Sequence, residues 1–164
     1  MTLYPIEVGR RFYDSTPITA TDPSYNMDES GECVMRGIAA KPGTYRCVAW
    51  KGREYYTDRE TKKRHSFSRV FVTGIYLDGF EKPRFSLAEE IGFVAVDAGL
   101  AGFFQNKPDY DEDAWYDFCD KVNRKNYLIL PEGFCTETGY GDGYYPVYKY
   151  TNENGEIVGL EIRY

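Results

Sequence analysis

Histidine is almost missing from this chain, since His65 is the only one among 164 residues. This excludes a His-rich metal site, and any serine–histidine pair would have to include His65. No two cysteines form a Cys-x-x-C pair, so the spacing indicates neither a zinc site nor a redox motif. We expect the four cysteines to be reduced thiols packed in the core: Cys33, Cys47, Cys119 and Cys135.

A surplus of positive charge is also missing. The chain has 20 basic and 26 acidic residues, which gives a formal charge of −6. Proteins that bind nucleic acid broadly usually carry a basic surplus that neutralises phosphates. Broad nucleic-acid binding is therefore not expected, although the composition permits a local basic patch.

Long apolar runs are absent as well. No uncharged apolar stretch approaches the roughly 20 residues of a membrane span, and the first 14 residues lack the apolar segment of a signal peptide. We therefore expect no membrane partner and predict a cytoplasmic protein. The length of 164 residues is that of one ordinary domain, so residues 1–164 are predicted to form a single domain.

Aromatic residues are abundant. They make up 17% of the chain, with 16 tyrosines and 10 phenylalanines. Aromatic side chains favour strands and fill cores, so this content predicts a β-rich fold. A tyrosine-lined binding face is the alternative interpretation.

Two hairpins are visible in the pattern. Between Gly43 and Leu77, TYRCVAW and SRVFVTGIYL are rich in β-branched and aromatic residues, which predicts a long hairpin. A second hairpin is predicted around Asn154–Gly155, a dipeptide typical of tight turns. Pro146 cannot donate to a ladder, so its strand should be an edge strand or contain a bulge. Residues 26–32 are predicted to be an exposed loop.

One principal helix is predicted over residues 111–125. Apolar residues recur on one face, acidic residues gather at its start and basic residues at its end. The predicted fold class is therefore α+β: a mostly antiparallel β sandwich or half-open barrel with this helix packed on it.

The polar segment TDRETKKRH joins the two strands of the first hairpin and contains the one basic cluster of the sequence. A solvated hairpin tip explains this composition. The alternative is an anion-binding lid that closes over a phosphate-bearing ligand. The lid residues would be Lys62, Lys63, Arg64 and His65.

Three aspartates, Asp22, Asp97 and Asp142, follow apolar segments and stand beside proline or glycine. Turns at the ends of strands would explain all three, because aspartate accepts hydrogen bonds from turn backbone. Alternatively, the loops converge and the carboxylates bind Mg²⁺ or Mn²⁺, or act as an acid/base pair. Outside that alternative, no cofactor and no metal is predicted.

The glycine-rich stretch GYGDG, residues 139–143, has the freedom to bring backbone N–H groups close to a ligand. It lacks the strand and helix context of a phosphate-binding loop, and no Gly-x-Ser-x-Gly elbow presents a nucleophile. With the aspartates and their neighbours, it defines the predicted ligand-binding residues: Asp22, Tyr25, Asp97, Gly99, Tyr140, Gly141, Asp142, Gly143 and Tyr145.

Four stretches also carry a resemblance: TDPSY, GTYRCVAW, VAVDAGLAGFF and GYGDGYYPVY, in that order. They resemble a family of small uncharacterised proteins of bacteria and their phages, with Asp-Pro-Ser/Cys-Tyr, Val-Asp-Ala/Ser-Gly and Gly-Tyr-Gly-Asp-Gly motifs. The resemblance implies a bacterial or phage cytosolic setting and marks Asp22, Asp97 and Asp142 as family-type positions. It implies no mechanism. Ser24 stands where relatives often have cysteine, so a cysteine-dependent reaction is not expected there.

Three classes of function follow from these observations. The first is a non-enzymatic binding protein that sequesters a nucleotide-like signal, or a partner protein, through tyrosines and the Gly/Asp loops. The second is a metal-assisted hydrolase of phosphodiesters or nucleotides that uses Asp22, Asp97 and Asp142. The third is a structural or assembly component of a phage. In a phage, either of the first two would be a means of evading host defence.

Overall fold

Two antiparallel sheets packed face to face make up the fold, a β sandwich with one helix. The computed structural model describes residues 1–28 and 31–164. In chain order the strands are β1 (Tyr4–Tyr13), β2 (Ile18–Thr21), β3 (Val34–Ile38), β4 (Gly43–Thr57), β5 (Arg64–Leu77), β6 (Glu89–Val96), β7 (Leu100–Phe104), β8 (Tyr127–Leu130), β9 (Gly133–Glu137), β10 (Gly143–Thr151) and β11 (Ile157–Arg163). The six-stranded sheet has the order β1-β4-β5-β11-β10-β6, and the five-stranded sheet has the order β3-β2-β7-β9-β8.

Alternation along the strands divides the side chains between the two faces of each sheet. Phe103 of β7 is buried in the core between the sheets, whereas the next residue, Phe104, packs beneath the helix. The helix α1 (Glu112–Lys125) covers that outer face with Phe118 and Val122. It begins after Asp111, whose side chain accepts a 2.8 Å hydrogen bond from the backbone of Ala114. The predicted fold class is confirmed in its sandwich form.

Both predicted hairpins are present, as β4–β5 and β10–β11. The strand that contains Pro146 is not an edge strand, because β10 lies between β11 and β6. Proline is tolerated there because pairing with β11 begins only at Val147, one residue later. A register shift also follows directly, between Val147 and Tyr148 on the side of β6.

The predicted loop over residues 26–32 is described in part. Asp28, Gly31 and Glu32 are exposed, while Glu29 and Ser30 lie outside the described residues. All four cysteines are free thiols, and Cys119 is the one that is only partly buried. Over residues 1–28 and 31–164, no helix is long and apolar enough to cross a membrane.

Candidate functional site

Asp22 is completely buried and acts as a connector between loops. One carboxylate oxygen accepts hydrogen bonds from the backbone N–H and the hydroxyl of Ser24, at 2.9 and 2.7 Å. The other accepts from the backbone N–H groups of Asp97 and Ala98, at 2.8 and 2.9 Å. The chain after β2 is thereby fixed to the chain after β6. Because both oxygens are occupied by protein donors, this carboxylate is not presented to a ligand.

Asp97 is exposed at the mouth of a small acidic pocket of about 260 Å³. Tyr25 donates its hydroxyl to the Asp97 carboxylate, and this bond raises the tyrosine pKa. Glu32 and Tyr144 line the same pocket, as does Cys33, whose thiol pKa is raised mainly by burial. No lysine or arginine is among its described lining residues. The pocket therefore carries negative charge and would repel a phosphate group.

The glycine-rich loop lies beside Asp97. Gly143 pairs with Val96, so Asp142 and Asp97 are neighbours at the ends of β10 and β6. Gly141, at φ +78°, has its carbonyl held by the hydroxyls of Thr138 and Tyr145, at 2.5 and 2.8 Å. The buried Tyr145 is thus a support for the loop.

Gly99 lies on the adjoining turn and faces the glycine-rich loop. Its φ of +67° is in the left-handed region that favours glycine, and a Cβ atom placed on it would make an ordinary van der Waals contact with Cα of Gly141, at 3.9 Å. Its carbonyl accepts the backbone N–H of Thr138 at 2.9 Å. The loops with the three aspartates therefore meet at one end of the sandwich.

This convergence does not assemble a set of metal ligands. Within residues 1–28 and 31–164, no group of three or more His, Cys, Asp or Glu side chains is placed to hold a metal ion. Asp22 is committed to backbone donors, and Asp142 is exposed. The arrangement agrees with turn chemistry, in which aspartate satisfies backbone N–H groups.

The predicted lid forms the end of a projecting hairpin. Lys62, Lys63, Arg64 and His65 are all exposed. Arg64 lies over the ring of Tyr55 at 4.0 Å, and His65 stacks on Tyr56 with centroids 5.1 Å apart. The turn is closed by Asp58, which accepts backbone N–H groups from Glu60 and Thr61, both at 2.8 Å. The basic residues are thus presented on a defined turn.

Tyr140 of the glycine-rich loop lies against the base of this hairpin. Its hydroxyl donates to Glu54 at 2.6 Å, and the contact raises the tyrosine pKa. Arg69 also pairs with Glu54, at 2.8 Å, and donates to the carbonyl of Gly139 at 2.5 Å. The predicted loop and the predicted lid therefore belong to one connected surface, joined at the base of the hairpin.

A larger concavity, of about 670 Å³, lies elsewhere, on the outer face of the six-stranded sheet. We call it the outer cleft. Its floor is formed by Val48, Trp50 and Tyr76, and Phe80 closes one side. The charged residues Arg10, Arg46 and Lys82 line it together with Glu7, Asp78 and Glu81.

Two of the cations in the outer cleft, Arg46 and Lys82, form no salt bridge in the described parts of the chain, although the nearby Glu161 carboxylate acts electrostatically on Lys82. Lys82 donates to the carbonyl of Pro83 at 2.7 Å and lies over the Phe85 ring at 3.5 Å, and burial lowers its pKa. Arg46 donates to the carbonyl of Phe80 at 3.0 Å. By contrast, the Arg10 guanidinium pairs with a carboxylate, at 3.2 Å.

A buried carboxylate, Glu161, lies beneath the outer cleft. It accepts the hydroxyls of Tyr76 and Tyr150, at 2.5 and 3.1 Å, and pairs with Arg163 at 2.8 Å. Tyr76 in turn accepts the indole N–H of Trp50 at 2.8 Å. This chain of hydrogen bonds fixes the rings that form the floor of the outer cleft.

Gly74 allows Tyr76 to take this position. A Cβ atom placed on Gly74 would lie 2.3 Å from the Tyr76 hydroxyl oxygen. Because any larger residue would collide with the phenol, the glycine leaves the space into which the Tyr76 ring folds back over the sheet.

None of the outer-cleft residues was identified by sequence reasoning. One available signal was the alternation in TYRCVAW, which puts Arg46, Val48 and Trp50 on one face of β4. Another was Glu161, an acidic residue within the apolar strand IVGLEIR. A buried charge requires a partner, and such pairs are frequent near sites.

Comparisons with protein-family models, with curated proteins and with solved structures found no match to this chain.

Proposed function

We propose that this protein is a non-enzymatic binding protein that holds a small, flat anionic ligand, such as a nucleotide, in the outer cleft. The observation that carries the proposal is the pairing of an aromatic floor with two cations, Arg46 and Lys82, that form no salt bridge within residues 1–28 and 31–164. A cleft of about 670 Å³ is in the range of small-molecule sites, which are mostly apolar with a few placed polar groups.

The aromatic floor supplies contact area at a low cost in entropy. Trp50 is half-buried and already fixed by its hydrogen bond to the buried Tyr76, so little side-chain freedom is lost when a planar group packs on the indole. A nucleobase has the size and flatness that such a floor accommodates.

Arg46 and Lys82 supply the attraction for an anionic group. Each donates to a backbone carbonyl of the segment that follows β5, at Phe80 or Pro83, which leaves further N–H donors on the guanidinium and ammonium groups. Phosphate and carboxylate are the natural partners of such donors. The acidic pocket beside Asp97, by contrast, has the wrong charge for this ligand.

The metal-assisted hydrolase is less favoured by the geometry. It requires Asp22, Asp97 and Asp142 to act on one substrate, but the Asp22 oxygens are occupied by four protein donors. In the bacterial or phage setting that the resemblance implies, retention of an intact nucleotide signal would sequester it. No observation favours the third class, a structural component of a phage.

The proposal is tested by incubating the protein with linear and cyclic nucleotides, with Mg²⁺ or Mn²⁺ and then with a chelator. Retention is measured by equilibrium dialysis and breakdown by chromatography. We expect retention of intact ligand that the chelator does not change and that Arg46→Glu or Lys82→Glu abolishes. Lys121→Glu, on the exposed side of α1, is the matched charge reversal and should bind normally. Metal-dependent breakdown, or retention unchanged in both cleft variants, would refute the proposal.

A further inference from the structure

The β4–β5 hairpin extends beyond the sheet to which it belongs. Pairing of β4 with β1 ends at Lys51, and pairing of β5 with β11 ends at Val72. The strand segments 52–57 and 64–69 pair only with each other. We call residues 52–69 the hairpin arm.

One face of the hairpin arm carries a continuous series of flat groups. Paired residues share a face, and Tyr56 pairs with His65 while Glu54 pairs with Phe67. The ring of His65 stacks on Tyr56 at 5.1 Å, and Tyr56 lies 6.1 Å from Phe67. Arg69 lies 4.6 Å from the Phe67 ring and 5.1 Å from the Tyr140 ring. We call this series the ring row: His65, Tyr56, Phe67, Arg69 and Tyr140.

Three of the five groups in the ring row are exposed, and Phe67 and Arg69 are partly buried. Tyr56 is 54% exposed and Tyr140 is 52% exposed, and both are large apolar rings at the surface. The row runs from the tip of the hairpin arm to the glycine-rich loop, and near its base Phe67 and Arg69 also line a small pocket of about 290 Å³. This shape suits an extended ligand with several flat units.

The charge of the hairpin arm is opposite to that of the protein. Residues 52–69 contain six basic and three acidic side chains, a local charge of +3 in a chain with a total of −6. Two of the three acids have partners within the protein: Glu54 pairs with Arg69, and Asp58 accepts backbone N–H groups of the turn, whereas Glu60 is exposed at the tip. The lysines at the tip, Lys62 and Lys63, remain directed at solvent.

We propose that the hairpin arm binds a single strand of nucleic acid, with bases stacked on the ring row and phosphates near the basic tip. Surfaces that bind single strands combine positive charge with aromatic rings, and stacking tolerates any base because each has a flat face. The chain-wide acidic charge argues against broad binding, but here the attraction is confined to one projecting element. This site is independent of the outer cleft, and neither proposal requires the other.

The proposal is tested by fluorescence anisotropy with a short labelled oligothymidylate, on the full chain at low salt. Tyr56→Ala and Phe67→Ala should each weaken binding, on the order of tenfold. Tyr55→Ala is the matched control, because Tyr55 is 53% exposed but lies on the opposite face of the same hairpin. Its affinity should stay within about twofold of wild type, well below the stacking effect. Thermal melting of each variant confirms that the fold is kept.

Salt dependence tests the role of the tip. The double variant Lys62→Gln, Lys63→Gln should reduce the slope of log K against log salt by about 1.4, the expectation for two lost phosphate contacts to a single strand. Absence of oligonucleotide binding, or equal loss in the Tyr55 and Tyr56 variants, would overturn the proposal. Equally tight binding of polyglutamate would also overturn it, because an acidic polymer without bases cannot stack.

Discussion

The Asp22 carboxylate accepts the backbone N–H of Asp97 at 2.8 Å, across 75 residues of sequence. This partly buried bond, together with the bond from the backbone N–H of Ala98, holds the two loops together at one end of the sandwich. Asp22, one of the three aspartates considered as metal ligands, thus has a structural role. Its neighbour in space, Asp97, remains exposed and contacts Tyr25 instead.

Replacement of Asp22 should therefore reduce stability. Asp22→Asn introduces an NH₂ group where both oxygens now accept, so at least one N–H donor loses its partner. The expected loss is about 1–3 kcal/mol in the free energy of unfolding, measured with urea. Asp142→Asn, at an exposed carboxylate, is the control and should be neutral. Equal stability of the two variants would contradict the structural role.

Glu161 should also be needed for stability, because it too accepts hydrogen bonds from buried donors. Glu161→Ala leaves Arg163 and two buried tyrosine hydroxyls without their acceptor, and breaking a buried pair from one side costs about 3–5 kcal/mol. Because Arg163 is partly exposed, we expect a loss nearer the lower end. Glu153→Ala, in the exposed turn before β11, should change urea unfolding little. A wild-type midpoint for Glu161→Ala would argue against this network.

Alkaline pH should unfold the protein through its buried tyrosines. Burial raises the pKa of Tyr13 and Tyr76 well above 10 and that of Tyr45 to about 12. An unfolded tyrosine ionises near pH 10, so the stabilisation is complete below about pH 10 and is lost as pH rises above it. Each such tyrosine should lower the free energy of unfolding by about 1.4 kcal/mol per pH unit. Tyrosinate absorbance checks this, since ionisation of all 16 tyrosines in a still-folded chain would refute it.

Gly74→Ala should disturb the floor of the outer cleft. The added methyl group would lie 2.3 Å from the Tyr76 hydroxyl oxygen, so the phenol must leave Glu161 and the Trp50 indole. We expect a loss of about 1–3 kcal/mol in stability, typical of overpacking. Retention of a nucleotide by the outer cleft should fall together with stability. Thermal melting and equilibrium dialysis measure these two effects, and an unchanged melting temperature would show that the Tyr76 hydroxyl does not fill the space next to Gly74.

Much of the fold could be predicted from local pattern. The β4–β5 hairpin follows from β-branched and aromatic runs, and the helix follows from its apolar stripe and its charged ends. Pro146 lacks a backbone donor, which predicts an edge strand or a bulge; β10 is not an edge strand, but a register shift does follow Pro146, between Val147 and Tyr148. The donor is not needed, since β11 pairs only from Val147 onward. That register depends on tertiary pairing and not on the residues around the proline.

The site was harder to predict than the fold. The sequence predicts that Asp22 accepts hydrogen bonds from its own turn. It does not show that the backbone N–H groups of Asp97 and Ala98, 75 and 76 residues away, also donate to this carboxylate. The outer cleft combines residues of β4 and β5 with the segment around Phe80 that follows β5. The side chains of these segments become neighbours only in the folded sheet. The connection of Tyr140 to the lid arises in the same way, through Glu54 and Arg69. Such sites are set by strand order, which local patterns do not specify.

The central claim, that the outer cleft holds a flat anionic ligand, is tested most directly by the fluorescence of Trp50. The chain has two tryptophans, so Trp115→Phe leaves Trp50 as the single reporter. Titration with the nucleotides of the panel should give a saturable change in Trp50 emission, which Lys82→Glu in the same background should abolish. If the protein retains a nucleotide while Trp50 emission stays constant, or if no nucleotide changes the emission, the outer cleft is not the binding site.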